Sequence, residues 1–336
     1  MNFRNLCHHI FPYLFSSLGF VGIYLGGNYS IAGILVIFIL HPTLDFIFTN
    51  IFGEVDYLPS PPSNFSLYFY PAFQTFVLLA GIYFISKEQA LVHQFYGSIS
   101  LGIITGGFGI TVSHELVHRP KKWEIGLGVF LLSQVMYAVF RIEHVFGHHR
   151  NVSTPNDPAS ARLNDNVYFF VPRAIFKTHL SAFSIETNRI NKKSLSIANH
   201  RMVHYFLLQS LWIILFYTLF GTAGALIFLG QSMVAIILLE LVDYIEHYGL
   251  QRKKLPNGAY EPVGPEHSWD TNFFLTNTSL FNLGKHAHHH QKAGIPYQRL
   301  SSTKEANQYQ FGYSTAIIIS LIPPLWFKLI NPKIQS

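Results

Sequence analysis

Cysteine is nearly absent from this chain: Cys7 is the only one. A single thiol excludes an internal disulfide framework, and with it a four-thiolate iron–sulfur or rubredoxin-type centre. Charge is scarce as well. Asp, Glu, Lys and Arg make up 12% of the 336 residues, against about 25% in soluble chains, so this is no ordinary soluble domain. No Gly-x-Gly-x-x-Gly follows a strand-like run, so nothing here binds NAD or a flavin directly. Internal repeats, low-complexity tracts and long linkers are also missing, and residues 1–336 read as a single membrane-embedded domain. Basic residues are missing from the first third: Arg4 and Lys87 are the only Lys or Arg before Arg119. The net charge of +6 therefore collects on the later part of the chain, and no nucleic-acid partner is expected.

What is present is apolar and aromatic. Hydrophobic residues reach 49%, with 31 Phe and 18 Tyr, as in chains that meet lipid and its interfaces. Runs near the 20 apolar residues a membrane helix needs occur at about 10–27, 31–49, 67–86, 94–113, 205–220 and 222–242. Gly26-Gly27-Asn28 turns the first pair and Gly221 the last, while residues 50–66 form a polar loop holding Glu54, Asp56, Pro59, Pro61 and Pro62. The fold class expected is an all-α membrane protein of about six transmembrane helices. Two further runs, 125–142 and 313–330, are expected to be interfacial. A crossing at 125–142 would put the histidines on its two sides about 30 Å apart, and Pro323-Pro324 interrupts the second run. Six spans place both termini on one side. The positive-inside rule makes that side cytoplasmic, since only Lys87 then falls outside; a multi-pass inner-membrane protein is the expectation.

The histidines stand on that same side. They read His114-Glu-Leu-Val-His118, then His144-Val-Phe-Gly-His148-His149, then Glu246-His247, then His286-Ala-His288-His289-His290. Residues four apart share a helix face, so His114 pairs with His118, His144 with His148 and His286 with His290. His289 joins a second face. His149 lies about 140° round from His144, where it can reach a neighbouring centre. His288 turns away and is left out. Imidazoles beside hydrocarbon cost free energy unless they are used, and three multi-histidine clusters on one side of six spans point to two metal ions. Glu115, Glu143 and Glu246 adjoin ligands and Asp243 lies one turn before His247, so each is a candidate for holding an imidazole's far N–H. His8, His9, His41, His93, His179, His200 and His204 take ordinary polar or lipid-facing roles, and His267 stands between the two classes. Imidazole suits Zn, Cu, Fe and Ni, but one zinc needs only three or four ligands. Two redox-active irons use all nine. A membrane-dissolved substrate offers unactivated C–H bonds, which call for O2 chemistry on a metal.

These stretches resemble the membrane-bound fatty acid desaturase and hydroxylase superfamily, and in detail its non-haem di-iron alkane monooxygenases. The likeness runs through His114-Glu-Leu-Val-His118-Arg119, Glu143-His144-Val-Phe-Gly-His148-His149 and Thr154-Pro-Asn-Asp-Pro-Ala-Ser-Ala-Arg162. It continues through Tyr244-Ile-Glu-His247-Tyr-Gly-Leu250, Glu266-His-Ser-Trp-Asp-Thr-Asn272 and the last histidine box. The resemblance implies iron ligands at His114, His118, His144, His148, His149, His247, His286, His289 and His290. It implies oxidation of an alkyl terminus to a primary alcohol with O2 as co-substrate. Electrons would come from a rubredoxin-type carrier and its reductase, with NAD(P)H acting only through that reductase. Xylene monooxygenases share the boxes, which leaves an aromatic methyl substrate open, and desaturases or hydroxylases of acyl, sterol or carotenoid substrates are the nearest relatives. One departure stands at Lys285 and His288, where the alkane enzymes usually carry a Gln-Arg and a Ser-Asp pair. Outside the superfamily, His114-Glu115-x-x-His118 also spells the motif of a zinc metalloprotease, and a histidine-rich metal carrier would bind ions without consuming O2. The basic residues Arg119, Lys121, Lys122, Lys192, Lys193, Arg252, Lys253 and Lys254 could steer an acidic carrier or contact lipid headgroups.

Overall fold

The computed structural model describes residues 3–55 and 64–334; Asp56, Pro59, Pro61 and Pro62 of the expected polar loop lie outside the described residues. Among the described residues, five helices are long and apolar enough to cross a membrane. They are α1 (Phe3–Leu25), α2 (Gly27–Phe52), α3 (Phe65–Lys87), α4 (Leu91–Val117) and, after α5 (Lys122–Ser133) and α6 (Val167–Lys192), α7 (Arg201–His247). Helix α7 is not straight. Gly221 takes φ 65° inside it, a left-handed value that costs glycine nothing. Phe216 and Phe228 then stack at 5.0 Å, although twelve residues of straight helix would separate them by about 18 Å. The two arms are therefore a hairpin, and the bundle has six membrane-spanning arms. Outward-facing Phe46, Phe76, Phe206 and Leu211 are exposed, as lipid-facing side chains are.

Helix α4 is the centre of the bundle because its glycines let α7 come close. A Cβ on Gly102 would lie 2.5 Å from the Gln231 carbonyl oxygen, and one on Gly106 would lie 2.7 Å from the Ala235 Cα. Residues Thr105–Ile110 widen to a π-helical turn just before the first histidine pair.

Residues 125–142 do not cross. Helix α5 packs beside the end of α4, with the Ser113 hydroxyl donating to the Gly128 carbonyl at 2.8 Å, and stops at Ser133 inside the bundle. The turn after it is wired to mid-span side chains. Gln134 donates to Thr75 at 2.7 Å and accepts from Gln74 at 3.0 Å, while Gln231 donates to the Gln134 carbonyl at 2.9 Å. Gln209 accepts from the Ala138 N–H at 2.8 Å. Irregular backbone survives at membrane depth only when protein groups satisfy it; Gln209 and Gln231 do this, and Gln74 fixes the Gln134 side chain. The chain then returns to the side it left, which keeps His144 beside His114.

Helix α6 escapes a search for apolar runs because Arg173, Lys177, Glu186 and Arg189 interrupt it. Its exposed Phe169, Phe176, Leu180 and Phe183 form one stripe, as in a helix lying along an interface. After α8 (His286–Gln291) the chain ends in α9 (Tyr313–Ser320) and α10 (Pro323–Ile334), which are bent by 120° to each other. Pro323 opens α10 rather than interrupting a longer helix. Trp326 is buried against Tyr244 and Tyr248, so the C-terminal helix braces the end of α7. Phe3 lies against Phe274 and Ile334 against Gly249, so both ends of the described chain sit on the histidine side.

Candidate metal centre

All nine expected ligands converge, in two sets. His114, His118, His144, His149 and His289 form one, and His148, His247, His286 and His290 the other, with the candidate donor atoms of each set within 4.8 Å of one another. The sets touch: the His149 and His290 rings are 4.4 Å apart and near parallel. The expected pairing of His144 with His148 is corrected. His144 and His148 face different sets, and His149 joins His144. The cause is local: His144–His148 is a π-helical turn, whose i→i+5 bonding ties His149, five residues on, back to His144. The α-helix rule does hold in α8, where His286 and His290 share a set.

The ring nitrogens test whether ions fit. Nε2 of His144 and His289 each lie 3.1 Å from Nε2 of His149, while Nε2 of His114 and of His118 is buried with no hydrogen-bond partner among the described residues. In the second set the Nε2 separations are 3.2 Å for His148–His290, 3.1 Å for His247–His286 and 2.9 Å for His286–His290. Nitrogens about 2.1 Å from a common ion and at right angles around it would lie about 3.0 Å apart, so this spacing suits a coordination shell. The proton inventory agrees. Nδ1–H of His148 donates to Asp157 at 2.9 Å and Nδ1–H of His247 to the His267 carbonyl at 3.2 Å. In each neutral ring the inward Nε2 then keeps its lone pair. Burial, reinforced by neighbouring rings, holds His144, His149, His286, His289 and His290 well below the ordinary histidine range. They stay neutral, as ligands must.

The carboxylates divide differently from expectation. Glu246 comes 3.2 Å from His286 Nε2, on the ligand side of that ring. Glu115 is tied to Arg119 at 2.6 Å and accepts the Tyr297 N–H at 3.2 Å, so it is not free to serve as the base of a zinc protease. Glu143 accepts from Ser181 at 3.2 Å and touches no ligand ring, and Asp243 lines the cavity described below. The carboxylate that does hold a ligand is Asp157, which sequence reasoning did not assign. Burial alone would raise it, but His148 and the Ser160 hydroxyl at 2.5 Å more than offset this and leave it below the usual range. Its signal lay in the Thr-Pro-Asn-Asp-Pro turn that follows the second box.

The remaining histidines sort cleanly. His267 accepts the Gly264 N–H at Nδ1 (2.8 Å), so its Nε2 carries the proton and faces Glu261 at 3.2 Å. It contributes its backbone carbonyl to His247, and the lone pair a third metal would need is already taken. His288 Nδ1 accepts from the Ser301 N–H at 3.0 Å, and Lys285 bonds Asn272 and Ser302. Both departures from the family pattern therefore fasten the 301–302 loop and leave the two sets alone. His9, His41, His93, His179 and His204 meet protein partners. His8 and His200 depart from a satisfied role: both are buried, and neither ring has a hydrogen-bond partner among the described residues.

A cavity with a mostly apolar lining adjoins both sets. His114 and His144 of the first set and His286 of the second line it. Ile37 of α2, Phe108 and Ile110 of α4, Leu238 and Leu239 of α7 and Ile317 of α9 supply its apolar wall, and His41, Asp243, Glu246 and Ser314 its polar points.

A fatty acid desaturase family model matches residues 90–320. Alkane 1-monooxygenase 2 of Pseudomonas aeruginosa is 43% identical over 71% of this chain and 64% of its own length. Alkane 1-monooxygenase 2 of Alcanivorax borkumensis is 40% identical over 76% and 68%. The hydroxylase component of xylene/toluene monooxygenase from Pseudomonas putida is 28% identical over 71% and 64%. The chain thus spans about two thirds of the length of these relatives, and slightly less of the first and the last.

Proposed function

The chain belongs to the fatty acid desaturase family and, within it, sides with the alkane 1-monooxygenases; from that premise we propose that it hydroxylates the terminal carbon of an alkane or alkyl chain. One alkyl C–H, one O2, two electrons and two protons give one primary alcohol and one water. The observation that carries this reading is the apolar cavity walled by membrane helices and adjoining both imidazole sets. A lipid-dissolved chain enters such a space without leaving an apolar medium, and its wall keeps water from the reacting carbon.

His114, His118, His144, His149 and His289 would hold one iron, and His148, His247, His286 and His290 the other. Bound iron supplies the activation of O2 that an unactivated C–H bond requires. Asp157 and the His267 carbonyl orient two of the second set's rings through Nδ1. The sequence carries no Gly-x-Gly-x-x-Gly after a strand-like run, and on this reading electrons arrive one at a time from a separate rubredoxin-type carrier. By the positive-inside rule the histidine side faces the cytoplasm of an inner membrane.

The test is chemical. Purified protein should carry two irons per chain, and cells expressing it with a carrier and reductase should convert alkanes to 1-alcohols. One zinc per chain, or products from acyl chains alone, would overturn the proposal. Methyl-aromatics belong in the same panel, because the hydroxylase component of a xylene/toluene monooxygenase is 28% identical over 71% of the chain.

A further inference from the structure

Three histidine clusters bury nearly everything that lies between their ligands. Among the described residues of 114–118, 144–149 and 286–290, Phe146 is the one exposed side chain, at 42%. It sits two residues after His144 and two before His148, so one backbone turn links it to a ligand of each set. Two guanidinium groups stack on it, Arg141 at 4.9 Å and Arg201 at 5.0 Å from the ring centroid.

These two cations differ. Arg201 is matched by Glu186 at 2.5 Å, and Glu186 also takes Arg189 at 2.6 Å. Arg141 is 9% exposed, and its Nε and Nη1 are buried without a hydrogen-bond partner among the described residues. With Arg141, Arg189 and Arg201 set against Glu186, the patch is left positive. A buried cation that shares one carboxylate with two other guanidinium groups is under-compensated, and a partner bearing carboxylates would relieve it.

We propose that the Arg141–Phe146–Arg201 sandwich is where a small acidic one-electron carrier docks. The inference rests on the function proposed above. At each encounter the carrier is oxidised by one electron, and two encounters supply the pair that one hydroxylation consumes. Phe146 fills the apolar centre of the contact and the guanidinium groups ring it, the arrangement typical of a binding hot spot. An anionic lipid headgroup is the competing occupant, but it gives no reason for the exposed ring to sit between ligands of both sets.

The experiment titrates purified acidic rubredoxin against the iron-loaded, detergent-solubilised chain and reads binding directly. F146E and R141Q should each weaken binding about tenfold or more, and R141K should restore most of it. Iron content per chain reports whether each variant has folded. In parallel, the same proteins are titrated with vesicles of anionic and of zwitterionic lipid. Wild-type carrier affinity in iron-replete F146E and R141Q would overturn the proposal, and so would an effect confined to anionic vesicles. Alkane turnover with a chemical reductant is measured separately on the wild type. Its absence alongside intact, F146-dependent carrier binding would sink the hydroxylase reading and leave the docking surface standing.

Discussion

The two imidazole sets lie against each other yet are held differently. In the four-ring set, His148 is fastened to Asp157 and His247 to the His267 carbonyl, and Glu246 stands 3.2 Å from His286. The five-ring set has no carboxylate on any ring among the described residues. Two of its inward nitrogens, on His114 and His118, lack any hydrogen-bond partner. One set is tuned by charge beyond its ligands and the other by ligand number and burial. A carboxylate accepting an imidazole's far N–H makes that ring more basic, so the proposed irons should differ in affinity and in sensitivity to mutation.

The largest effect separates the sets outright. His148→Ala leaves three rings in the smaller set and should reduce iron from two to one per chain while abolishing hydroxylation. His118→Ala leaves four rings in the larger set and should retain more than one iron, although activity falls as far. Equal iron loss in the two variants would erase the distinction. Next comes Asp157→Asn, which keeps the shape but removes the charge. Outer partners of this kind are worth about 10–100-fold in metal affinity or activity. Stepwise chelation should show that loss in only one of the two irons, and a loss shared by both would contradict the assignment.

Acidity sharpens the contrast further. Burial holds His118, His144, His149 and His289 of the first set and His286 and His290 of the second well below the ordinary histidine range. Above about pH 6.5 neither folded nor unfolded chain binds these protons, and the rings contribute no pH dependence. Below it the unfolded chain takes them up first, so stability falls as pH falls, by about 1.4 kcal/mol per ring for each pH unit. Metal-free protein should therefore melt lower at pH 5.5 than at pH 7.5, and His289→Ala should flatten the slope. A thermal midpoint independent of pH would show that these rings are not buried as described. The smallest effect is expected at His288→Ala. It loses hydrogen bonds to Ser301 worth about 1 kcal/mol and should leave the iron content at two, which metal analysis of the variant checks.

Much of this was legible before any coordinates. Composition identifies a membrane chain, the apolar runs anticipate the six helical arms, and all nine candidate ligands are visible as clusters. The reason is that membrane helices and metal sites both leave short-range marks: long uncharged runs in the first case, histidines a turn apart in the second. Helix α6 was invisible because charges on one face hide an apolar stripe on the other. The inward turn at Ser133–Ala138 was invisible because Gln209 and Gln231 satisfy its backbone from distant helices. The boundaries moved for a similar reason, since α1 begins at Phe3 where packing on Phe52 and Phe274 extends it beyond its apolar run.

By itself, then, the order of residues determined that this is a helical membrane protein whose histidines gather on one side to bind metal. Those features depend on composition and on spacings shorter than one or two helical turns. Only the tertiary structure decided which ring serves which set, that Asp157 rather than Glu115 or Glu143 holds a ligand, and that an apolar cavity adjoins both sets. Each of these depends on a π-helical turn, a close approach between glycine faces or a contact across many residues, and no local pattern in the chain encodes such geometry.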